Sequence, residues 1–314
     1  NGVYMNIYQK REVLKMLLEF KCSNHRSIKE EVNFSMIAGS DNTSEGLLKE
    51  FGKFRVLRSA VIYGANGSGK SNFISALLFM CDLVSNSINY QPGQGIFQVR
   101  HKLSAEDSSS RYSIQFVRND IRYAYGFSVK QNLIQDEYLY YFPKGRQVKI
   151  FERDRLEIRP GDRYKGVFDV SVSILKDNRL FLSCAANYSN VKEIEEAFLF
   201  FKTDIVIYNP EINNWTEYSI KLMQDNDMMK KIFLNILRAL GTGAKDVKVK
   251  LEKIKLADLP QELPLPDALK SLLGTKEGNR IEAKVIYDQF EVDLMTEEST
   301  GVKPLSYTHL RAHE

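Results

Sequence analysis

Apolar and polar residues alternate along several stretches of the first half of the chain, and a period of two is typical of β-strands. MLLEFKCS, which begins at Met16, is one such stretch. Residues 112–129 are another, and they predict antiparallel strands that turn at Arg118 to Asp120. VLRSAVIY, residues 56–63, is instead a run rich in β-branched residues, which predicts a buried strand.

Helical periodicity follows that run and returns in the middle of the chain. After residue 72, apolar residues recur at helical spacing, namely Phe73, Ala76, Leu77, Met80, Cys81 and Val84. The pattern from about 177 to 275 is again mainly helical. Within it, VKEIEEAFLFFK is amphipathic, and an apolar stripe over 229–240 follows a cap region at Asp225–Asp227 and ends at Gly241.

Two later stretches favour strands. VKVKLEKIKL, residues 247–256, reads as an edge or half-exposed strand, and RIEAKVIYDQFEVDL predicts a hairpin that turns near Asp288 and Gln289. The lysines of the first stretch either face solvent or contact phosphates; they are Lys248, Lys250, Lys253 and Lys255.

The segment GANGSGKSN joins the predicted strand 56–63 to the predicted helix. Gly64, Gly69, Lys70 and Ser71 satisfy the pattern GxxxxGK[ST]. Backbone N–H groups reach a polyphosphate only where no side chain intervenes, and the helix N-terminus directs its positive end at the anion. Lys70 adds a positive charge at the β and γ phosphates, and the Ser71 hydroxyl suits Mg²⁺. A glycine turn that merely began a helix would not require Lys followed by Ser.

This phosphate loop predicts a site for ATP and Mg²⁺. Its residues are Gly64, Ala65, Asn66, Gly67, Ser68, Gly69, Lys70, Ser71 and Asn72.

The amino-acid composition excludes few classes of protein. The 314 residues are 43% hydrophobic, which is ample for a packed core, and the net charge of +4 is too small to indicate a nucleic-acid binder. Three widely spaced cysteines without CxxC pairs predict reduced, partly buried thiols. Asp82, Lys202 and Asp204 interrupt the apolar runs, so we expect no membrane segment and a cytoplasmic protein.

The variant GANGSGKSN, with Asn66, Gly67 and Asn72, resembles the loop of ABC-like ATPases related to RecF, SMC proteins and the OLD nucleases. The order of features from Met16 to about Lys303 is most similar to AAA-family ATP-binding proteins of bacterial abortive-infection and anti-phage loci. The resemblance implies an α/β P-loop NTPase fold, similar to an ABC or SMC head, with an N-terminal antiparallel sheet and a helical insertion at about 177–275.

The resemblance also implies roles for residues outside the loop. LLEFKCSNHRSIKEEVNFSMI resembles the opening strand, turn and second strand of this group, which implies that Asn24, Arg26 and Ser27 lie beside the nucleotide. The alternative is a solvent-facing turn with a free arginine. Gln98 is the candidate for the glutamine that senses Mg²⁺ and the γ-phosphate, although Gln115 competes for this role and an ordinary surface position is also open.

TEESTGVKPL resembles the signature segment that contacts the γ-phosphate held by the opposite subunit. Glu298, Ser299 and Gly301 match this signature, whereas Val302 departs from it and Pro304 would disturb the following helix. The alternative is an exposed polar loop. No convincing acidic pair for hydrolysis accompanies the loop: Asp288 fits a hairpin turn better, and Asn209 stands where an aspartate would be required.

Both ends of the chain differ in character from the remainder. Residues 1–15 read as an untranslated leader or a flexible tail, and residues 304–314, which include His309 and His313, resemble a translated sequencing adaptor. We therefore expect residues 16–303 to be an incomplete ATPase domain, truncated at its C-terminus, that hydrolyses ATP poorly or not at all.

The resemblance implies that the intact protein binds Mg-ATP between two subunits, so that ATP drives homodimerisation and hydrolysis releases it. Such a homodimer would control a nuclease or toxin partner in phage defence. The alternatives are a DNA-binding repair clamp like RecF and a nucleotide-sensing scaffold without turnover.

Overall fold

The computed structural model describes residues 14–39, 46, 48–207, 214–255 and 277–294. The chain divides into two compact units, Asn1–Ile207 and Tyr208–Glu314.

Nine strands and four α-helices are described in the first unit. The strands are β1 (Lys15–Ser23), β2 (Val32–Ser35), β3 (Leu48–Phe51), β4 (Phe54–Leu57), β5 (Ser110–Arg118), β6 (Ile121–Lys130), β7 (Leu133–Phe142), β8 (Val148–Asp154) and β9 (Glu157–Pro160). The helices are α1 (Lys70–Asn86), α2 (Asp169–Ser173), α3 (Phe181–Tyr188) and α4 (Lys192–Leu199).

Seven of these strands form one antiparallel sheet in the order β2-β1-β5-β6-β7-β8-β9. The opening strand and the second strand are confirmed as β1 and β2. The hairpin predicted at Arg118 to Asp120 is confirmed too, because Asn119 and Asp120 adopt positive φ angles of 50° and 61° between β5 and β6. Two left-handed residues in a two-residue loop match the twist of a hairpin.

One face of this sheet packs against the helices and forms the main core of the unit. Phe20, Phe116 and Phe127 of the sheet are fully or almost fully buried, and α1 adds Ala76 and Met80 to the same cluster. The apolar spacing of α1 read from the sequence is therefore the face that it turns to the sheet. This packing fixes the helix that begins at the phosphate loop.

The β3–β4 hairpin covers part of the opposite face. Val56 packs there against Leu18 and Val117 in a smaller apolar cluster. The predicted strand 56–63 is wrong beyond Leu57, where β4 ends. Val61 and Tyr63 are 84% and 90% exposed, and residues 58–63 make no backbone hydrogen bond to the described part of the chain. Strand preference expresses packing against neighbours, and here those neighbours are absent from the described residues.

A buried ion pair fastens α3 to the sheet. The Glu137 carboxylate accepts hydrogen bonds from the backbone N–H groups of Phe181 and Leu182, at 2.6 and 2.9 Å, and from the Tyr125 hydroxyl. Arg153 donates to the same carboxylate at 3.2 Å, and both side chains are 0% exposed. A carboxylate beside the first N–H groups of a helix suits their unpaired donors.

The predicted amphipathic helix VKEIEEAFLFFK is confirmed as α4, which continues into a π-helical turn, Phe200–Asp204. Asp204 accepts a hydrogen bond from Arg118 and pairs with Lys15, which ties this turn to β5 and β1.

The second unit contains α5 (Asn214–Asp225), α6 (Asp227–Ala239) and a three-stranded antiparallel sheet of β10 (Asp246–Lys255), β11 (Glu277–Ile286) and β12 (Glu291–Asp293). The helix, the strand and the hairpin predicted here are confirmed. The Asn226 side chain accepts from the backbone N–H groups of Met228 and Met229, so Asn226 caps α6, and Gly241 follows its end with a φ of 73°.

The three cysteines are free and buried, as expected. Residues 70–89 would be long and apolar enough to cross a membrane by composition alone, but their apolar face packs against the sheet in this fold.

Candidate functional site: the phosphate loop

The phosphate loop lies open between β4 and α1. Gly67 and Gly69 have φ angles of 79° and 97°, which other residues adopt only with strain. Gly69 caps α1, and the first turn of that helix carries no acidic residue. The first turn of α1 therefore places no carboxylate of its own beside its first N–H groups, which favours an anionic ligand.

Lys70 folds back over the loop. Its Nζ donates hydrogen bonds of 2.8 Å to the carbonyl oxygens of both Gly64 and Ala65. The ammonium group therefore lies over the loop that its own helix begins. The Ser71 side chain follows it on the same helix and is exposed.

Ser27 contacts the loop from the turn between β1 and β2. Its Oγ accepts a hydrogen bond of 2.7 Å from Asn72 Nδ2, and a Cβ atom on Gly69 would lie 3.2 Å from the same oxygen. The implied proximity of this serine to the loop is therefore present in the fold. Glycine at position 69 serves both the left-handed backbone and this close approach.

Asn24 and Arg26 belong to the same turn but differ in environment. Both have positive φ angles, 53° and 52°. Asn24 is buried, and its side-chain amide bonds to Ser108, Ser109 and the N–H of His101. Arg26 is exposed, and no hydrogen bond or ion pair of its guanidinium is found within the described residues.

His25, between them, is a residue that the sequence analysis did not single out. Its ring nitrogens lie 2.8 Å from the Tyr112 hydroxyl and 3.3 Å from Ser75 Oγ on α1. Burial, followed by the charge of Arg26, lowers the pKa of His25 to about 4. The imidazole is therefore neutral at pH 7 and links the turn to both α1 and β5.

A cavity of about 450 Å³ opens beside the loop. Its polar side comprises Ser27, Lys29, Glu30, Asn33, Ser68, Gly69 and Lys70, and its apolar side comprises Ile28, Val32, Phe34, Ile62, Tyr63 and Phe73. The phosphate-loop residues Ser68, Gly69 and Lys70 line this cavity together with apolar side chains such as Ile62 and Phe73, and such a mixed lining suits a ligand that has both an anionic part and an apolar part.

The two glutamines considered as Mg²⁺ sensors are both hydrogen-bonded. Gln98 Nε2 donates to the carbonyl oxygen of Asn24 at 3.2 Å and to Ser110 Oγ at 2.5 Å. Gln115 donates to Glu19 and accepts from Arg122, so it is engaged on the other face of the sheet. Gln98 is thus held to the turn that carries Arg26 and Ser27, whereas Gln115 is not.

Asp288 lies in the turn between β11 and β12 and pairs with Lys245, which agrees with the hairpin reading. Lys248 pairs with Glu291. Glu298, Ser299 and Gly301 lie outside the described residues, as do Asn209, His309 and His313. The described ranges contain no group of three His, Cys, Asp or Glu side chains that could hold a metal ion.

Comparison with known proteins supports the loop assignment. Residues 59–165 match the family model described as "AAA domain, putative AbiEii toxin, Type IV TA system". No curated protein is similar enough in sequence to match the chain.

Two solved structures of the recombination mediator protein RecF are similar to the chain. The RecF-ATP structure is 16% identical, with a TM-score of 0.34, and the match covers 96% of this chain and 81% of that one. The RecF-ATPrS structure is 15% identical, again with a TM-score of 0.34, and the match covers 95% and 80%.

Residues 59–165, which contain the phosphate loop, thus match an AAA domain family model, in agreement with the expected resemblance to AAA-type ATP-binding proteins.

Proposed function

We propose that this protein binds Mg-ATP at the phosphate loop. The observation that carries the proposal is the open loop at a helix N-terminus that no described side chain caps, with Lys70 above it and a cavity beside it. The match of residues 59–165 to an AAA domain model adds support. These features provide many N–H donors and one mobile cation, which a triphosphate requires.

The residues of the loop have distinct roles in this proposal. Lys70, whose Nζ donates to the carbonyl oxygens of Gly64 and Ala65, would turn its ammonium group to the phosphates. Ser71 would supply a hydroxyl ligand to Mg²⁺, and the metal would neutralise phosphate charge. Gln98 remains a weaker candidate for a further contact with the metal.

The nucleoside would occupy the cavity beside the loop. Ile62 and Phe73 offer apolar surface for a base, and Ser27 lies where the cavity meets the loop. Arg26 lines a separate cavity with Ser75 and Asp82, so its proposed contact with the phosphates requires its guanidinium to swing toward the loop. Asn24 supports the turn from beneath.

Isothermal titration with ATP, in the presence and absence of Mg²⁺, tests the proposal. We expect one site per chain, with affinity that falls by roughly tenfold or more when Mg²⁺ is removed. ADP should bind more weakly, because it lacks the γ-phosphate. An absence of heat and of thermal stabilisation at millimolar Mg-ATP would contradict the proposal.

We also propose that Mg-ATP drives two copies together and that the dimer controls a nuclease or toxin partner in the cytoplasm. The sequence resemblance to ATPases of abortive-infection loci motivates this step, and the family model that matches residues 59–165 is described as a putative AbiEii toxin of a type IV TA system. Light scattering with and without Mg-ATP tests it: a mass that doubles only with Mg-ATP is expected, and a constant mass would contradict it.

ATP hydrolysis needs an acidic residue to hold Mg²⁺ and a group to orient water. Glu30 is the only carboxylate that lines the described cavity. We therefore propose that the 314-residue chain turns ATP over slowly. Phosphate release at a rate typical of an intact ATPase, on the order of 1 per second or faster, would contradict this.

A further inference from the structure

The turn that carries Arg26 and Ser27 is held in an unusual backbone conformation. Two of its non-glycine residues, Asn24 and Arg26, have left-handed φ angles. Such conformations persist only where the surrounding structure over-determines them. The contacts that hold this turn therefore decide where Arg26 and Ser27 lie.

The Asn24 side chain makes three hydrogen bonds to one segment of the chain, residues 98–110. Its Nδ2 donates to Ser108 Oγ at 3.0 Å and to the carbonyl oxygen of Ser109 at 3.3 Å, and its Oδ1 accepts from the N–H of His101 at 3.0 Å. Both the nitrogen and the oxygen of its side-chain amide are thus hydrogen-bonded. Both amide hydrogens and one lone pair of the amide oxygen are therefore already used within the fold, and the residue is buried.

The main chain of the turn bonds to the same segment. The carbonyl oxygen of Asn24 accepts from Gln98 Nε2 and from Ser110 Oγ, and the N–H of Arg26 donates to the carbonyl oxygen of Val99 at 2.8 Å. The position of Arg26 therefore depends on a segment that the Asn24 amide fastens at residues 101, 108 and 109.

We propose that Asn24 is a positioning residue: its buried amide binds residues 98–110 to the turn, fixes the backbone of Arg26, and thereby holds Ser27 at the edge of the phosphate loop. This inference rests on the proposed nucleotide site. It gives Asn24 a role through the turn rather than through contact with the nucleotide.

Asn24→Gly is the informative change, because glycine accepts the left-handed φ and removes only the side-chain amide. We expect Mg-ATP to bind the variant about tenfold more weakly than the wild type, as expected when two or three buried hydrogen bonds are lost. In a chain that already carries Arg26→Ala and Ser27→Ala, the same change should alter affinity by less than about twofold, since coupled residues are not additive.

Asn119→Gly is the matched control. Asn119 also has a positive φ, 50°, but lies in the β5–β6 turn. The Asn119→Gly substitution should leave the affinity for Mg-ATP unchanged. If Asn24→Gly fails to fold, Asn24→Asp replaces it in the same comparison of the two backgrounds. Aspartate keeps the acceptor for the N–H of His101 but loses the amide donor.

Hydrogen exchange gives a readout that needs no nucleotide. In Asn24→Gly, the amides of Arg26 and His101 should exchange at least about tenfold faster, while amides of β6 stay within about twofold of the wild type. Equal loss of affinity in both backgrounds, or unchanged exchange at these two amides, would overturn the inference. A wild-type chain that fails to bind Mg-ATP would instead overturn the proposed function, and the exchange result would still decide whether Asn24 holds the turn.

Discussion

The Glu137 site and the phosphate loop both lie in the first unit. The polar groups of the Glu137 site are paired and buried, whereas those of the loop are available to a ligand. At Glu137, a carboxylate, a guanidinium, a hydroxyl and two helix N–H groups pair with one another away from water. At the loop, the N-terminal N–H groups of α1 and the Ser71 hydroxyl are left available. Paired and buried groups fix the fold, whereas available groups on a fixed helix can bind a ligand.

Helix α1 belongs both to the packed core and to the open phosphate loop. Its apolar face is buried against the sheet, and its first turn stands at the open loop. The packed region therefore holds the open region in place, and mutations in the two regions should have separable effects. Changes at Glu137 should affect stability first, and changes at the loop should affect binding first.

The largest expected effect on stability belongs to Glu137→Ala. It leaves the Arg153 guanidinium buried without its carboxylate and removes the acceptor for two N–H groups of α3, so we expect a loss of about 3 to 5 kcal/mol. Urea unfolding followed by far-ultraviolet circular dichroism measures it. Glu152→Ala, on the partly exposed opposite face, should cost less than about 1 kcal/mol. Similar losses of stability in Glu137→Ala and Glu152→Ala would contradict the distinction between the buried and the partly exposed carboxylate.

An intermediate effect should come from His25, which lies beside the loop yet is buried. Its folded pKa of about 4 is below the ordinary value of 6.5, so the unfolded chain binds more protons between these values. The stability contributed by neutral His25 is complete above pH 6.5 and is lost as the pH falls toward 4.

His25→Gln removes this titration. Between pH 7 and pH 4 the wild type should lose about 3 kcal/mol more than the variant, and the comparison cancels the carboxylates that both chains share. Parallel pH profiles of unfolding for the two chains would show that the imidazole is not held neutral in the fold.

The smallest expected effect is at the segment before the loop. Val61→Ser and Tyr63→Ser should each change stability by less than about 0.5 kcal/mol, because both side chains are exposed. Val117→Ser, at a fully buried position, should cost several times more. Loss of more than about 1.5 kcal/mol in Tyr63→Ser would place that side chain in a packed environment.

Much of this architecture was predictable from local patterns. Alternation located β1, β5 and β6, the turn at Asn119 and Asp120 followed from its composition, and the glycine and lysine spacing located the phosphate loop. Each of these signals is local, because it depends on residues a few positions apart.

What the sequence did not predict depends on partners distant in the chain. Residues 58–63 have the composition of a buried strand, but a strand needs neighbours, and only the fold shows whether they are present. Asn24 was assigned to the nucleotide by resemblance, whereas its partners lie 84 and 85 residues further along. Glu137 carried no signal at all, since a carboxylate in an alternating strand is ordinarily a solvated side chain.

Titration of the wild type and of Lys70→Ala with Mg-ATP is the decisive measurement for the phosphate loop. Within the described residues, the Lys70 ammonium group donates to two exposed carbonyl oxygens of its own loop, so the variant should keep the thermal stability of the wild type without ligand. Its affinity for Mg-ATP should fall by roughly a hundredfold, as loss of charge-assisted contacts to phosphate implies. Unchanged affinity in a folded Lys70→Ala protein would contradict the assignment of this loop as the nucleotide site.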